Sequence, residues 1–165
     1  MEEVYLGVGS NIPPRFQWVG VGLDWLLKEG AIQGPVFSRA YISSPWGDGS
    51  FGEAYVNLVL RATTPLTPEP LLDALKRAER IAGRKEASRN APRELDLDVL
   101  LYGARVIKTP KLEVPHPKIP TRRFVLEPML DLNPGLVHPG LNRPIRSLLA
   151  SCPDSGLVLP LFCRR

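Results

Sequence analysis

Aliphatic residues occupy every second position of the segment VYLGVGS (4–10). Because successive side chains of a β-strand point to opposite faces, this alternation predicts a strand that ends near Ser10. From Phe16 to Lys28 the apolar residues instead recur every three or four positions, which predicts an amphipathic helix with Gly30 as its stop. The chain therefore opens with a strand and a helix.

Three further strands and a second helix are predicted downstream. The segments VFSRAYISS (36–44) and EAYVNLVLRAT (53–63) are rich in β-branched and aromatic residues, as strands are. Thr67 is a suitable N-cap for a helix that carries an apolar stripe from Pro68 to Gly83. ELDLDVLLYG (94–103) predicts another strand, and its apolar content favours a central position in the sheet.

The predicted order β-α-β-β-α-β is that of a ferredoxin-like sandwich, an α+β fold in which an antiparallel sheet carries two helices on one face. Additional C-terminal elements should decorate this core. They are extended chain in RVIKTPKLEVPHP (105–117), a short helix over 121–130, and a region rich in Pro and Gly after Asn133. Neither a repeat nor a linker divides the sequence, so residues 1–165 are expected to form a single domain.

Composition narrows the class of protein. The 165 residues include 21 Lys and Arg against 17 Asp and Glu, and the resulting net charge of +4 suits an anionic ligand. The sequence lacks an apolar run of the roughly 20 residues that cross a bilayer, and its N-terminus does not resemble a signal peptide, so a cytoplasmic protein that does not bind membranes is expected. Cys152 and Cys163 lack the spacing of a metal site and are interpreted as reduced thiols.

Two acids interrupt the last apolar strand. In a strand, Asp96 and Asp98 point to the same face about 6.6 Å apart at Cα. Two close carboxylates repel each other, and a divalent cation offsets that repulsion. Oxygen ligands favour Mg²⁺, which takes one or two carboxylates and fills its shell with water and phosphate oxygens. The alternative is that both acids line the solvated face of an amphipathic strand. The opposite face, directed at the helices, is predicted to carry Leu95, Leu97, Val99 and Leu101.

Arginines lead into this strand. Arg84, Arg89 and Arg93 carry planar guanidinium groups that suit bidentate phosphate contacts. The sequence has neither a P-loop nor a kinase-type glycine-rich loop, so side chains would have to hold a nucleotide. GVGSN (7–11) is interpreted as a structural turn at the end of a strand. A polyphosphate bound through metal is therefore the expected ligand.

The segment RNAPRELDLDVLLYG (89–103) resembles the signature of the 6-hydroxymethyl-7,8-dihydropterin pyrophosphokinase family. YLGVGSN, AYVNLVL, AERIAGR, VPHP and TRRFVLEPM occur in the family's order, so the resemblance covers Tyr5 to His138. It implies an enzyme of folate biosynthesis that transfers pyrophosphate from ATP to the hydroxymethyl group of the reduced pterin and releases AMP.

The resemblance also implies roles for individual residues. Asp96 and Asp98 would bind two Mg²⁺ ions that bridge the ATP triphosphate, and would form the catalytic set together with Arg84 and Arg93, with Arg93 closest to the metals. The ATP contacts would be Glu79, Arg84, Arg93, Val99, Lys111, His116 and Arg122. The pterin contacts would be Ser43, Ser44, Trp46, Tyr55, Asn57 and Phe124, with Phe124 as the stacking ring. For Glu79 a solvated helix face is the alternative, and His138 is interpreted as structural.

The sequence departs from the family pattern in its loops. Ser44 and Trp46 stand where the family has Pro and Leu, and Glu86 and Asn90 where some relatives carry Arg and Trp. PWGDGSFG (45–52) and RKEASRNAP (84–92) are nevertheless expected to close over the substrates, with different lid contacts.

Two other functions share the predicted fold. One is a ferredoxin-like module that binds RNA or a small effector, which the basic charge permits. Acids on the sheet would repel a nucleic-acid backbone, so no nucleic-acid partner is expected. The other is a hydrolase resembling acylphosphatases, against which paired aspartates favour a metal-dependent reaction. A monomer is expected.

Overall fold

A computed structural model of the chain describes residues 1–44, 53–84 and 91–161. Trp46, Glu86, Arg89, Asn90 and Cys163 lie outside the described residues, as do both predicted lids over most of their length. The strands are β1 (Glu2–Ser10), β2 (Gln33–Phe37), β3 (Tyr41–Ser43), β4 (Tyr55–Thr64), β5 (Asp96–Tyr102), β6 (Ile107–Lys108), β7 (Glu113–Val114), β8 (Val137–His138), β9 (Arg143–Pro144) and β10 (Val158–Pro160). The helices are α1 (Arg15–Lys28), α2 (Pro68–Ile81), α3 (Arg123–Leu132) and α4 (Ile145–Ala150), with a 3₁₀ turn at Ile119–Thr121.

The main sheet has the order β10-β3-β4-β1-β5, with β2 beside β3 along the same edge of β4, and every pair in it is antiparallel. This confirms the ferredoxin-like order. The strand predicted over 36–44 is divided into β2 and β3 at Ser38. There the Ser38 hydroxyl accepts a hydrogen bond from the Val59 amide at 3.0 Å, so a side chain replaces a backbone carbonyl in the ladder.

Each face of the sheet has its own core. Helices α1 and α2 cover one face, whose cluster includes Leu6, Leu60 and Leu97. Helices α3 and α4, among the C-terminal elements, cover part of the opposite face, whose cluster includes Tyr5 and Leu126. None of the helices in the described part of the chain combines the length and the apolar character that a membrane span requires.

The central position predicted for β5 is wrong. Within the described residues β5 pairs in the main sheet with β1 alone and forms its edge. Its apolar residues are buried because helices cover both faces of the sheet, so their burial does not require a neighbouring strand on each side of β5.

A β-bulge corrects a second prediction. The register between β1 and β5 shifts at Tyr5/Leu6, so that Leu100 is the extra residue on β5. Leu97 and Val99 point to α1 and α2 as predicted, whereas Leu101 packs with Leu100 in the cluster beneath α3 and α4. One inserted residue reverses the alternation of side chains beyond it.

Helix α1 approaches the sheet through a glycine. A Cβ built at Gly22 would overlap the Leu95 Cδ2 atom, and Leu95 is fully buried. Gly20, two residues earlier, is exposed, and a Cβ there would meet nothing within 4 Å.

These two glycines give a matched test of helix packing. We expect Gly22→Ala to lower the free energy of unfolding by about 1–3 kcal/mol, because the added methyl overpacks a closed site. Gly20→Ala should raise it by about 0.5–1 kcal/mol, because alanine is the better helix former. Urea denaturation followed by circular dichroism measures both, and equal effects of the two substitutions would contradict the packing described.

Candidate active site

Two glycines of β1 lie on the sheet face opposite α1 and α2, in the part of that face, here called the groove, that carries Asp96, Asp98 and Asn57. Gly7 pairs with Asp98 and Gly9 with Asp96 across the ladder, so each acid stands beside a residue without a side chain. A Cβ at Gly9 would lie 3.4 Å from the Asn57 Oδ1 atom on β4. Gly7 and Gly9 lie within β1, as the strand predicted to end near Ser10 requires, and beside both aspartates, a position that the interpretation of GVGSN as a structural turn does not include.

Asp96 is held between two arginines. Its Oδ1 atom accepts hydrogen bonds from Arg84 Nη1 at 2.8 Å and from Arg93 Nη1 at 2.9 Å. The carboxylate is half-buried, and both cations are too. The two arginines come from opposite ends of the segment before β5 and lie at nearly equal distances from the acid. That Arg93 would lie closest to bound metal ions stays a prediction.

Glu79 on α2 belongs to the same cluster of charged side chains. Its side chain is only 3% exposed, which excludes a solvated helix face. It forms an ion pair with Arg84, accepts a hydrogen bond from Lys76 Nζ at 2.7 Å, and accepts another from the Leu97 amide at 2.7 Å. Lys76 also donates to the Leu97 carbonyl at 3.0 Å. Glu79 thus fixes both Arg84 and the strand between the two aspartates.

Sequence reasoning missed Lys76. Its signal was the spacing of three residues from Glu79, which places the two side chains side by side on a helix.

Asp98 faces a different set of groups. Arg122 Nη1 lies 3.6 Å from its Oδ2 atom, and the Arg122 guanidinium also lies over the Phe124 ring, 5.6 Å from the ring centre. Burial lowers the pKa of His116, and the charge on Asp98 opposes that shift. His116 Nδ1 accepts a hydrogen bond from the Lys118 amide at 3.1 Å, which leaves its proton on Nε2 in the neutral form.

A second, less charged part of the groove lies on β3 and β4. Asn57 is 7% exposed, and its Nδ2 donates to the Ser43 hydroxyl at 2.8 Å. This bond orients the amide so that its oxygen lies above Gly9. Tyr55 precedes Asn57 on the same face, and burial raises the pKa of its phenol. The predicted pterin residues Ser43, Tyr55 and Asn57 are therefore neighbours.

Three predicted contacts stand apart from these clusters. The Val99 side chain is buried in the core beneath α1 and α2, so only its backbone could contact a ligand. Lys111 is exposed in the turn between β6 and β7, and none of its hydrogen bonds in the described part of the chain reaches the aspartates. Ser44 is exposed and donates its amide to the Leu157 carbonyl at 3.2 Å.

The donor set suits a hard cation that brings other ligands with it. Within residues 1–44, 53–84 and 91–161 no three His, Cys, Asp or Glu side chains converge as a complete metal cage. Two carboxylates on one face are what Mg²⁺ uses when phosphate oxygens and water supply its remaining ligands. Asp96 and Asp98 fit that chemistry.

Comparison with known proteins identifies the group to which this arrangement belongs. Residues 5–134 match the family model described as 7,8-dihydro-6-hydroxymethylpterin-pyrophosphokinase (HPPK). The chain belongs to this family. A relative from Aquifex aeolicus, named 2-amino-4-hydroxy-6-hydroxymethyldihydropteridine pyrophosphokinase, is 38% identical over 146 residues, 88% of this chain and 89% of the relative. A protein of the same name from Pseudomonas aeruginosa is 38% identical over 157 residues, 95% of this chain and 96% of that one.

Solved structures confirm the HPPK fold. The Plasmodium falciparum HPPK-DHPS structure with pteroate matches with a TM-score of 0.71 at 14% identity over 91% of this chain. This chain spans only 42% of that one, and 43% of another HPPK-DHPS structure, solved in complex with substrates, that matches with a TM-score of 0.66. The similarity in fold thus concerns one part of these longer proteins.

The role of Glu79 in the cluster can be tested by removing its charge alone. We expect Glu79→Gln to lower the free energy of unfolding by about 2 kcal/mol, because Lys76 and Arg84 lose a buried ionic partner. Asp73→Asn changes an exposed carboxylate of the same helix and should stay within about 0.5 kcal/mol of the parent protein. Chemical denaturation measures both values. If the two variants were equally stable, the buried network would not support the fold.

Proposed function

We propose that this protein transfers pyrophosphate from ATP to the hydroxymethyl group of 6-hydroxymethyl-7,8-dihydropterin and releases AMP, a step of folate biosynthesis. The observation that carries this proposal is the groove on one sheet face. At one side Asp96 and Asp98 stand among arginines, and at the other Asn57 and Tyr55 offer polar and aromatic contacts. The names of the two bacterial relatives agree with this reaction.

We also propose that Asp96 and Asp98 bind two Mg²⁺ ions together with ATP. Bound there, the ions would neutralise charge on the phosphates and align the attacking and leaving oxygens. The fit of the carboxylate pair to hard-cation chemistry supports this assignment.

The protein's own cations complete the phosphate site. Arg84 and Arg93 now share one oxygen of Asp96, and each guanidinium has further N–H groups to offer to a phosphate. Glu79 limits the movement of Arg84, so this arginine stays at the groove while it exchanges partners. His116, neutral with its proton on Nε2, donates a hydrogen bond to a phosphate oxygen without adding charge.

The pterin lies across Gly9, between Asn57 and Phe124. The Asn57 amide recognises the edge of the ring, since Ser43 already fixes its orientation. Arg122 covers one face of the Phe124 ring, so the pterin stacks on the other face. The absence of a side chain at Gly9 leaves the sheet low enough there for a flat ring, whereas the Leu100 side chain lies over Gly7.

The reaction itself is the direct test. Incubation with Mg²⁺, ATP and the reduced hydroxymethylpterin should yield AMP and the pterin pyrophosphate in equal amounts, separated by chromatography. A reaction that yields ADP or inorganic phosphate would overturn the proposed transfer, as would the absence of turnover. A monomer, a cytoplasmic location and a single domain over residues 1–165 stay predictions.

Asp98→Ala tests the metal assignment. We expect turnover to fall by about a hundredfold or more, because metal ions supply several kcal/mol of charge stabilisation. The side chain is 34% exposed, so stability should change by less than about 1 kcal/mol. Calorimetric titration with Mg²⁺ and a nonhydrolysable ATP analogue measures the loss of metal binding, with the exposed Asp24→Ala as control. Near-normal rates in Asp98→Ala would remove this assignment.

Phe124→Ala tests the pterin pocket. The dissociation constant for the pterin should rise about tenfold, since stacking on an aromatic ring contributes about 1–3 kcal/mol. Affinity for the ATP analogue should be unchanged. Phe37→Ala removes a half-exposed ring from β2 and serves as the matched control. An effect confined to ATP affinity would contradict the pocket described.

A further inference from the structure

The C-terminal segment from Cys152 to Leu161 lies beyond the residues that match the family model, which end at 134. In the structure this segment lies beside the groove. It includes β10, which pairs with β3, and a turn that contacts the start of α3. These two elements carry Ser43 and Phe124, on the two sides of the proposed pterin pocket.

The contact with β3 is a continuous ladder. Val158 pairs with Ser43 and Pro160 with Tyr41, and backbone hydrogen bonds extend the pairing at both ends. The Ser44 amide donates to the Leu157 carbonyl at 3.2 Å, and the Leu161 amide donates to the Ala40 carbonyl at 2.8 Å. Strand β3 has only three residues, so β10 supplies half of the pairing that keeps Ser43 in place for Asn57.

The contact with α3 is made by one carboxylate. Asp154 Oδ2 accepts a hydrogen bond from the Arg123 amide at 3.0 Å, and its Oδ1 accepts one from the Gly156 amide at 2.9 Å. The N-cap residue Arg122 makes no capping bond through its own side chain, so Asp154 performs that function from a distant part of the sequence. Phe124 is the next residue of the helix.

The turn itself joins the two contacts. A Cβ at Gly156 would lie 2.9 Å from Asp154 Oδ1 and 3.3 Å from the Ser44 hydroxyl. The turn is therefore packed tightly between the carboxylate and the end of β3, and a larger residue would have to displace one of them.

The other end of α3 is held separately. Asp131 accepts hydrogen bonds from Arg39 Nη2 at 2.6 Å and from the Tyr41 hydroxyl at 2.9 Å. This contact fixes the C-terminal turn of α3 to β3. At the end of the helix that carries Phe124, Asp154 makes the corresponding hydrogen bond to a distant part of the chain.

We propose that the C-terminal segment positions the pterin pocket, with Asp154 and β10 setting the distance between Phe124 on α3 and Ser43 on β3. These are positioning residues that need not touch the substrate. The proposal rests on the proposed function, since it assigns the pocket to the pterin.

Asp154→Ala and Asp154→Asn form the main test. Asparagine has one acceptor oxygen where aspartate has two, so Asp154→Asn keeps only one of the two hydrogen bonds and should raise the dissociation constant for the pterin by less than Asp154→Ala, which loses both and should raise it about fivefold. The pterin is titrated by fluorescence in the presence of Mg²⁺ and a nonhydrolysable ATP analogue, whose own affinity is measured by calorimetry and should not change. Amide exchange at Arg123–Val125 should be faster in Asp154→Ala than in the parent protein.

Gly156→Ala is a second variant that retains the cap residue. It should weaken pterin binding in the same direction, and Asp24→Asn on α1 should leave both ligands unaffected. Pterin affinity unchanged in both Asp154→Ala and Gly156→Ala would overturn the proposal, and so would equal losses for pterin and ATP analogue. A parent protein that binds neither ligand would instead refute the proposed function, which keeps the two failures apart.

Discussion

The site depends on the ion pairing of one carboxylate on a half-buried sheet face. Two arginines share the Oδ1 atom of Asp96, and one of them, Arg84, is in turn held by the buried Glu79. The chain Glu79–Arg84–Asp96–Arg93 alternates in sign, so each charge has an opposite neighbour. A buried charge without such a partner would destabilise the fold by far more than the ion pair stabilises it. The positions of α2 and β5 relative to each other therefore follow from charge as well as from apolar packing.

The bulge at Leu100 explains how one short strand serves both a groove and a core. Before the bulge, Asp96 and Asp98 are partly exposed, because α3 and α4 cover only part of this face within the described residues. After the bulge, Leu100 and Leu101 are both buried under those helices. The extra residue places the boundary between the face that carries the aspartates and the buried apolar surface within β5. Bulges commonly redirect side chains next to active sites in this way.

Most of the fold could be predicted because local patterns and the overall topology agree. The alternation in β1, the apolar stripe of α2 and the cap signals identify the β-α-β-β-α-β order. The edge position of β5 could not be predicted, since burial by helices on two faces looks the same in sequence as burial by neighbouring strands. The bulge at Leu100 leaves no sequence signal either, because its neighbours Val99 and Leu101 are both apolar and both buried, although they face opposite cores.

The site was predictable to a different extent on its two sides. Asp96 and Asp98 are identifiable because acids interrupt an otherwise apolar strand. The arginines are identifiable because two nearby carboxylates need positive charges beside them. The second side depends on pairings across strands, such as Ser43 with Asn57, which no local pattern encodes. The roles of Gly7 and Gly9 were hidden because glycine at the end of a strand usually marks a turn. Their register opposite the acids appears only once the sheet is assembled.

The charge balance of the groove also bears on the form in which a nucleotide binds. Among the described residues, Arg84, Arg93 and Arg122 bring three cations to the two carboxylates of the groove, those of Asp96 and Asp98, while Lys76 and Glu79 pair with each other on α2. A divalent ion that arrives without a nucleotide has to compete with the arginines that already pair with the aspartates. A triphosphate that arrives without metal ions is repelled by the two aspartates. A triphosphate that carries its own metal ions offers cations to the acids and oxygens to the arginines at once. The proposed site for Mg²⁺ and ATP at Asp96 and Asp98 therefore requires the combined species, to which the carboxylates and the arginines are complementary at the same time.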